Sequence, residues 1–379
     1  MAQIGIQGLT KTYSRTKALN NITLEVRDKE FLVLFGPAGA GKTTLLKMVA
    51  GLEYPDNGLV WINGEIVNVV PPANRNISMV FENYALYPHK SVYDNIASPL
   101  RSKLYREDEA YIKKEVLRVT SLMKIDHLLE RLPSQLSNGQ RQRVALGRSL
   151  VRKPNVFLMD EPLAHLDAKL RHFMRAELKE MQSNFDTTTI YVTHDYLEAL
   201  SLGDRIAVLN KGQFEQIGTA PEVFFTPKNE FVAKLIGEPE INILDGLVLS
   251  EGIDCKISFL DKQHTLSVPA DVQEDLRKHH STHVHLGIRG SDIQYSFKQE
   301  SDEWIPGTVY TIEPIGNKSI LTVAVGKLLL RIIAPNDLEC EMDTPIYIHT
   351  DPSDVIFFDG ETEEFITRHN QAELIQEAL

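Results

Sequence analysis

The chain has 379 residues, 52 of them acidic against 40 basic, a formal net charge of -12, with 42% hydrophobic and 24% charged residues. That length exceeds one ordinary core and predicts two or three domains of a soluble globular protein. The acidic balance excludes general binding to nucleic acid or to an acidic membrane surface, which need a basic face, though not docking on a membrane protein through a local patch.

No apolar run approaches the roughly 20 residues that a membrane-crossing helix needs. The first residues, MAQIGIQGLTKTY, lack the long apolar core of a signal peptide. Cys255 and Cys340 lie far apart in sequence and are expected to be reduced thiols. These features predict a cytoplasmic protein.

In chain order, FLVLF at 31–35 is a continuous apolar run ending at a glycine, the pattern of a strand buried on both faces. Gly36, Pro37, Ala38, Gly39, Ala40, Gly41, Lys42 and Thr43 follow, and they fit G-x-x-x-x-G-K-[ST]. Glycines there let backbone N–H groups turn inward around phosphate oxygens, and the helix expected from Lys42 to Gly51 adds its positive end. Lys42 is placed to reach the β- and γ-phosphates of a nucleotide and the Thr43 hydroxyl to ligate Mg²⁺, with Thr44 counted among the ATP contacts.

Between 92 and 150 the pattern turns helical. Helices are predicted over 107–124 and 140–151, with no convincing strand between them, so a helical insert interrupts the α/β alternation. The second helix opens on the polar head Ser137-Asn138-Gly139-Gln140 and carries Arg141, Arg143 and Arg148. A loop of that composition opening a helix is suited to an anion.

Three more short apolar strands follow: VFLM at 156–159, TIYVT at 189–193 and RIAVL at 205–209. Strands separated by helices imply a parallel sheet with right-handed crossovers. Asp160 and Glu161 end the first of these strands, on the rim where open α/β sheets bind ligands. Asp160 can hold Mg²⁺ through water, and Glu161, pointing the other way, can polarise an attacking water. His194 ends the next strand on the same rim, where it can donate to the γ-phosphate.

Around Glu238-Pro239-Glu240 the character changes, and short alternating segments dominate from Ile243 onward. Predicted strands at 319–325 and 328–334 flank the turn signal Gly326-Lys327. A nucleotide-binding domain at 1–240 and a mostly β domain at 241–379 are expected.

These pieces, in this order, resemble the ATP-binding subunits of ABC transporters, and the likeness covers essentially the whole chain. LSNGQRQRVAL looks like the family's LSGGQ signature, MVFENYALYPHKSVYDNIASPL its Q-loop and membrane-subunit contact, Leu166-Asp167 its D-loop, and THDYLEAL its switch-histidine segment. FVAKLIGEPEINIL and HLGIRGSDI are similar to the maltose and glycerol-3-phosphate importer branch.

The resemblance implies a P-loop NTPase core with a helical insert and an OB-like C-terminal domain that helps hold a dimer and can receive regulatory partners. Two chains would close head to tail on two ATP molecules. Ser137, Asn138, Gly139, Gln140 and Asp167 of one would then meet the nucleotide of the other. Tyr13 falls where the family stacks a ring on adenine. Implied partners are a second ATP-binding subunit, two integral-membrane permease subunits and, indirectly, an extracytoplasmic solute-binding protein. The implied work is import of a sugar or polyol-type solute at the cytoplasmic face of the membrane. A soluble ABC-type ATPase without a membrane partner, and a regulatory ATP-binding subunit, are the alternative readings.

Three departures from the family pattern stand out. Glu82 occupies the Q-loop glutamine position and would ligate Mg²⁺ as a carboxylate that cannot donate. Asn138 replaces the first glycine of the signature pair; asparagine tolerates positive φ better than most residues, though its side chain crowds the phosphate. Ala164-His165 replaces the Ser-Asn of the D-loop. All three lie on surfaces expected to face nucleotide or partner, which admits either drift in a homodimer or an asymmetric pair with one slow site.

Overall fold

A computed structural model describes residues 3–152, 154–164, 166–184, 187–251, 254–260, 262 and 264–378. The chain divides into two compact units, Met1–Ala220 and Pro221–Leu379.

The central sheet of the first unit has six strands, in the order Gln213–Gly218, Arg205–Asn210, Phe31–Phe35, Thr188–Thr193, Val156–Asp160 and Ile77–Val80. Neighbours run parallel except for the first pair, which is antiparallel. Phe31–Phe35, Val156–Asp160 and Thr188–Thr193 are buried along their whole length. That burial is why their sequences read as apolar runs without alternation. Register aligns Phe35 with Thr193, and Val192 with Asp160. The loops that follow these strands, beginning at Gly36, Glu161 and His194, therefore leave the sheet at one level.

A second sheet in this unit is antiparallel, in the order Thr16–Val26, Ile4–Tyr13, Asn57–Ile62 and Glu65–Ile66. The expectation of simply alternating strands and helices does not include it. Its inward residues Ile4, Ile6, Leu9, Leu19, Ile22, Leu24 and Val26 join one core with the 42–50 helix and the central sheet. Register shifts between Ile6 and Leu9, and again to Lys11 and Thr12, break the two-residue period by which a half-buried strand is recognised.

The helix Lys42–Ala50 starts after Gly41 and ends at Gly51, both left-handed. Its last carbonyls are taken by a residue far along the chain. The Arg75 guanidinium donates to Met48 O at 2.9 Å, Val49 O at 2.8 Å and Val70 O at 2.9 Å. Burial holds the Arg75 pKa below its ordinary value, and these carbonyls provide the polar surroundings that water would otherwise supply.

The insert consists of Val92–Ala97, Glu109–Leu122 and Asn138–Leu150, with short 3₁₀ turns between them. Each helix begins on a side-chain cap, from Ser91, Asp108 and Ser137 respectively. The third starts at Asn138 rather than at the expected Gln140, because Ser137 and Gln140 form a reciprocal capping box.

The second unit has two antiparallel sheets, one of six strands and one of five, whose inner faces share one core. The predicted hairpin is present as Lys318–Val325 and Leu328–Pro335, with Gly326 at φ 59° in its turn. The helix Ala270–His279 stands among these strands, in a region expected to be mostly β. The helices Ala220–Phe225 and Glu230–Leu235 also pack with this unit, so the division falls earlier in the chain than 240. Buried Arg289 draws them in, donating to Phe224 O at 2.6 Å and Ile236 O at 2.5 Å.

Arg75→Ala is expected to lower the stability of the first unit by about 2–4 kcal/mol in chemical denaturation, because it strands buried carbonyls and opens a hole beside Gly51. A loss within about 0.5 kcal/mol, the range of an ordinary surface change, would show that solvent caps this helix equally well.

Candidate functional site

The loop from Gly36 to Gly41 lies between a buried strand and a helix N-terminus. Gly36 and Gly41 take φ of 153° and 109°, and both are hemmed in by backbone, of Leu209 in one case and Ala18 in the other. A side chain at either position would push the loop off the strand end. Ala38 and Gly39 are exposed, so the concave side of the loop is open.

Lys42 is buried, and its ammonium donates back to Gly36 O at 2.8 Å and Pro37 O at 2.9 Å. Burial pulls the Lys42 pKa down, against the opposing pull of Glu161 and Asp160. An incompletely solvated cation held by two carbonyls at the mouth of an N–H-lined loop is ready to exchange them for phosphate oxygens.

Thr43 Oγ1 donates to Asp160 Oδ1 at 2.9 Å, a bond between residues 117 apart in sequence. Asp160 is 4% exposed, and desolvation holds its carboxyl above the usual carboxylate range, with the nearby charges of Glu161 and Glu82 adding to the effect. Thr43, buried Asp160 and exposed Glu82 thus offer hard oxygen donors around concentrated negative charge. That donor set fits Mg²⁺.

Glu161 turns into the left-handed region, φ 46°, as soon as its strand ends. Its N–H reaches Val192 O at 3.1 Å, and its Oε2 lies 2.9 Å from Nδ1 of His194. Glu161 and His194 are thereby joined across two strand ends. His194 is mostly exposed, so its other ring nitrogen is open to a ligand. Tyr13 lies at the tip of the first hairpin, paired with Thr16 and partly exposed, with Lys11 Nζ 5.4 Å from its ring centroid.

The signature residues form a separate surface. Ser137, Gly139 and Gln140 line a 390 Å³ recess together with Leu166 and Asp167. Ser137 Oγ accepts from Gln140 N–H at 3.3 Å, which leaves its hydroxyl proton free for a ligand at the helix N-terminus. Asn138 sits exposed at the first helical position without positive φ, so the left-handed tolerance expected of it is not called on. Gly139 instead serves packing: a Cβ there would meet the Leu166 side chain at 3.3 Å. Asp167 caps the following helix, accepting from Leu170 N–H at 2.9 Å. His165 lies outside the described residues.

Two arginines that sequence reading passed over as site residues connect these surfaces. Arg148, part of the signature helix, donates to Ala85 O at 2.7 Å and Tyr84 O at 2.9 Å. Both acceptors have positive φ, and the guanidinium lies near the Tyr87 ring. Arg171 joins Asp195 at 3.2 Å to Leu166 O at 3.3 Å, which ties the D-loop to the segment carrying His194. The arginines of the signature stretch therefore bind backbone carbonyls: Arg141 reaches Pro133 O and Arg143 reaches Met123 O. Nothing in sequence distinguishes such an arginine from a solvated one.

Known proteins resemble this chain over most of its length. The family model "ABC transporter" matches residues 19–164. The chain is 44% identical to the trehalose/maltose import ATP-binding protein MalK of Thermococcus litoralis, over 86% of this chain and 89% of that protein. It is 41% identical to the sn-glycerol-3-phosphate import ATP-binding protein UgpC of Salmonella typhimurium, over 96% of this chain and 99% of the relative. A solved ATP-binding cassette, dimeric and in a post-hydrolysis state with ADP and Pi, matches with a TM-score of 0.54 and 28% identity, over 57% of this chain and 98% of that one.

The Asp160 carboxyl has a raised pKa in the folded chain, so its contribution to stability is full below the ordinary carboxylate range and is lost as pH rises through the raised value. Near neutral pH the ionised group is therefore a cost. Asp160→Asn is expected to raise the melting temperature of the nucleotide-free protein by roughly 2–4 °C while abolishing the further rise produced by ATP with Mg²⁺. A lower melting temperature in the variant, by calorimetry at pH 7, would refute the cost.

Proposed function

This chain belongs to the ABC transporter ATP-binding family, and from that premise we propose that it is the ATP-hydrolysing subunit of an importer for a sugar or polyol-type solute. The relatives named above are import ATP-binding proteins for trehalose/maltose and for sn-glycerol-3-phosphate, and the match runs nearly end to end. The single observation that carries the mechanism is the convergence of Lys42, Thr43, Asp160, Glu161 and His194 at adjacent strand ends.

In this reading the triphosphate lies in the cradle of Gly36 to Thr44, with Tyr13 against the adenine. Lys42 leaves its two carbonyls for the β- and γ-phosphates. Thr43, Asp160 and Glu82 would hold Mg²⁺, whose positive charge offsets that of the phosphates and of the three facing acidic groups. Glu161 accepts the proton of the attacking water, and its bond to His194 sets the orientation of both. His194 donates to the γ-phosphate.

A second cassette brings Ser137, Asn138, Gly139, Gln140 and Asp167 to the outer side of that phosphate. The Ser137 hydroxyl and the free N–H groups of the first helical turn are its donors. ATP drives closure because the closed pair contacts a γ-phosphate that ADP lacks.

Closure must reach the membrane. A 590 Å³ groove lined by Ala73, Phe81, Ala85, Tyr87, Leu104 and Arg148 lies between the insert and the loop after Val80. Buried Asn95 secures this loop, donating to Tyr87 O at 3.1 Å and Lys90 O at 2.9 Å. It is the surface we assign to an integral-membrane permease subunit, two of which would complete the complex together with an extracytoplasmic solute-binding protein. Among the described residues no helix is long and apolar enough to cross a membrane; contact with its permeases would hold the chain peripherally on the cytoplasmic side. The β-rich second unit is the candidate for dimer contacts and regulation.

The Glu82 charge beside Asp160 favours one further reading, an asymmetric pair in which this chain joins a second ATP-binding subunit and one composite site turns over slowly.

Glu161→Gln in the assembled complex is expected to keep ATP binding, lower turnover by about 10²–10⁴-fold and accumulate a closed dimer on size-exclusion chromatography; turnover at the normal rate would discard Glu161 as the base. When this chain is the only ATP-binding subunit present with its permeases, the asymmetric reading predicts slow hydrolysis that Glu82→Gln accelerates. A normal wild-type rate would leave the symmetric dimer standing.

A further inference from the structure

In the second unit, far along the chain from the phosphate cradle, Asp245, His283 and His285 bring one ligand atom each to within 4.8 Å of one another. The fold makes this meeting. Asp245 and His285 are directly opposed across the antiparallel pair Asn242–Glu251 and His283–Ile288. His283 is two residues from His285, so all three side chains rise from one face of the sheet. His285 Nε2 lies 3.1 Å and His283 Nε2 3.6 Å from the same oxygen, Oδ1 of Asp245.

The other nitrogen of His285 is already committed. Its Nδ1 is hydrogen-bonded to Oε1 of Glu230, a carboxylate 2% exposed and held by Lys234 Nζ at 2.7 Å. A neutral ring that donates Nδ1–H to Glu230 turns the bare lone pair of Nε2 toward another carboxylate oxygen. That contact is repulsive unless a second ring proton or a metal cation stands between them. A carboxylate behind a histidine whose free nitrogen faces two further ligands is the outer-shell arrangement that orients metal-binding imidazoles. The His283 ring lies against Gly360, where any Cβ would collide with it, so this ring too has a fixed place.

We propose that Asp245, His283 and His285 bind a divalent transition-metal ion of the Zn²⁺ class, with Glu230 as the positioning residue behind His285. Ligands about 2.0–2.2 Å from a tetrahedral Zn²⁺ stand roughly 3.3–3.5 Å apart, and the two Nε2–Oδ1 separations bracket that value. Two imidazoles and one carboxylate suit Zn²⁺, Co²⁺ or Ni²⁺ better than Mg²⁺. The Asp245 side chain is 84% exposed, which leaves the fourth position open to water. Bound there, the ion joins two neighbouring strands and, through Glu230, the helix Glu230–Leu235.

The test uses the full-length chain, stripped with a chelator, free of nucleotide and titrated calorimetrically with Zn²⁺. One equivalent is expected to bind per chain, and Co²⁺ in its place should give the visible absorption of a four-coordinate nitrogen-and-oxygen site. His283→Ala should weaken Zn²⁺ by at least about 100-fold, and Glu230→Gln by about 10–100-fold, with the ATP turnover of His283→Ala showing that the chain is folded. Absence of Zn²⁺ uptake by the wild type, or uptake unchanged in His283→Ala, would overturn the proposal.

Discussion

The hydrogen bond from Thr43 to Asp160 is the constraint on which the rest of the first unit depends. It joins the first turn of the cradle helix to the end of a strand more than a hundred residues later. Both groups are held at one height only because Phe31–Phe35 and Val156–Asp160 flank Thr188–Thr193 in fixed parallel register. A slip by one residue would turn Asp160 away from the cradle and bury a different side chain in its place. The fully apolar character of these strands therefore sets the position of the polar groups at their ends.

That arrangement has an electrostatic cost. Lys42 and Asp160 are both buried, and burial moves each pKa toward the neutral form. On the reading proposed above, neither group would be in its most stable surroundings until phosphate and a divalent cation arrive to exchange charge with them. Stability withheld from the nucleotide-free chain is thus available as affinity for the ligand. This is the reason for a site that folding alone would not choose.

Legibility in the sequence follows the same physics. The cradle and the buried strands could be read because local backbone demands and continuous burial leave marks on neighbouring residues. Arg75, Arg148 and Arg171 could not, since each acts by reaching carbonyls brought near by tertiary packing. The antiparallel sheet was hidden by its bulges and the helix Ala270–His279 by its polar composition. Arg289, whose carbonyl acceptors lie on the chain before 240, explains why a change in sequence character did not mark the unit boundary.

Arg148 and Arg171 give the site its mechanical character. A guanidinium bonded to two carbonyls of a left-handed turn transmits displacement better than a hydrophobic contact, because it cannot slide without losing charge-assisted bonds. Through Arg148, any movement of the helix whose N-terminus carries Ser137 pulls on Tyr84 and Ala85, in the loop that contains Glu82. Through Arg171, the D-loop and the neighbour of His194 move together. A change at the phosphate would therefore reach the groove at Ala85 along bonds, not through a deformable core. The residues that would sense the nucleotide in the proposed mechanism and those that would face a membrane partner need not touch, provided the loop between them is held at both ends.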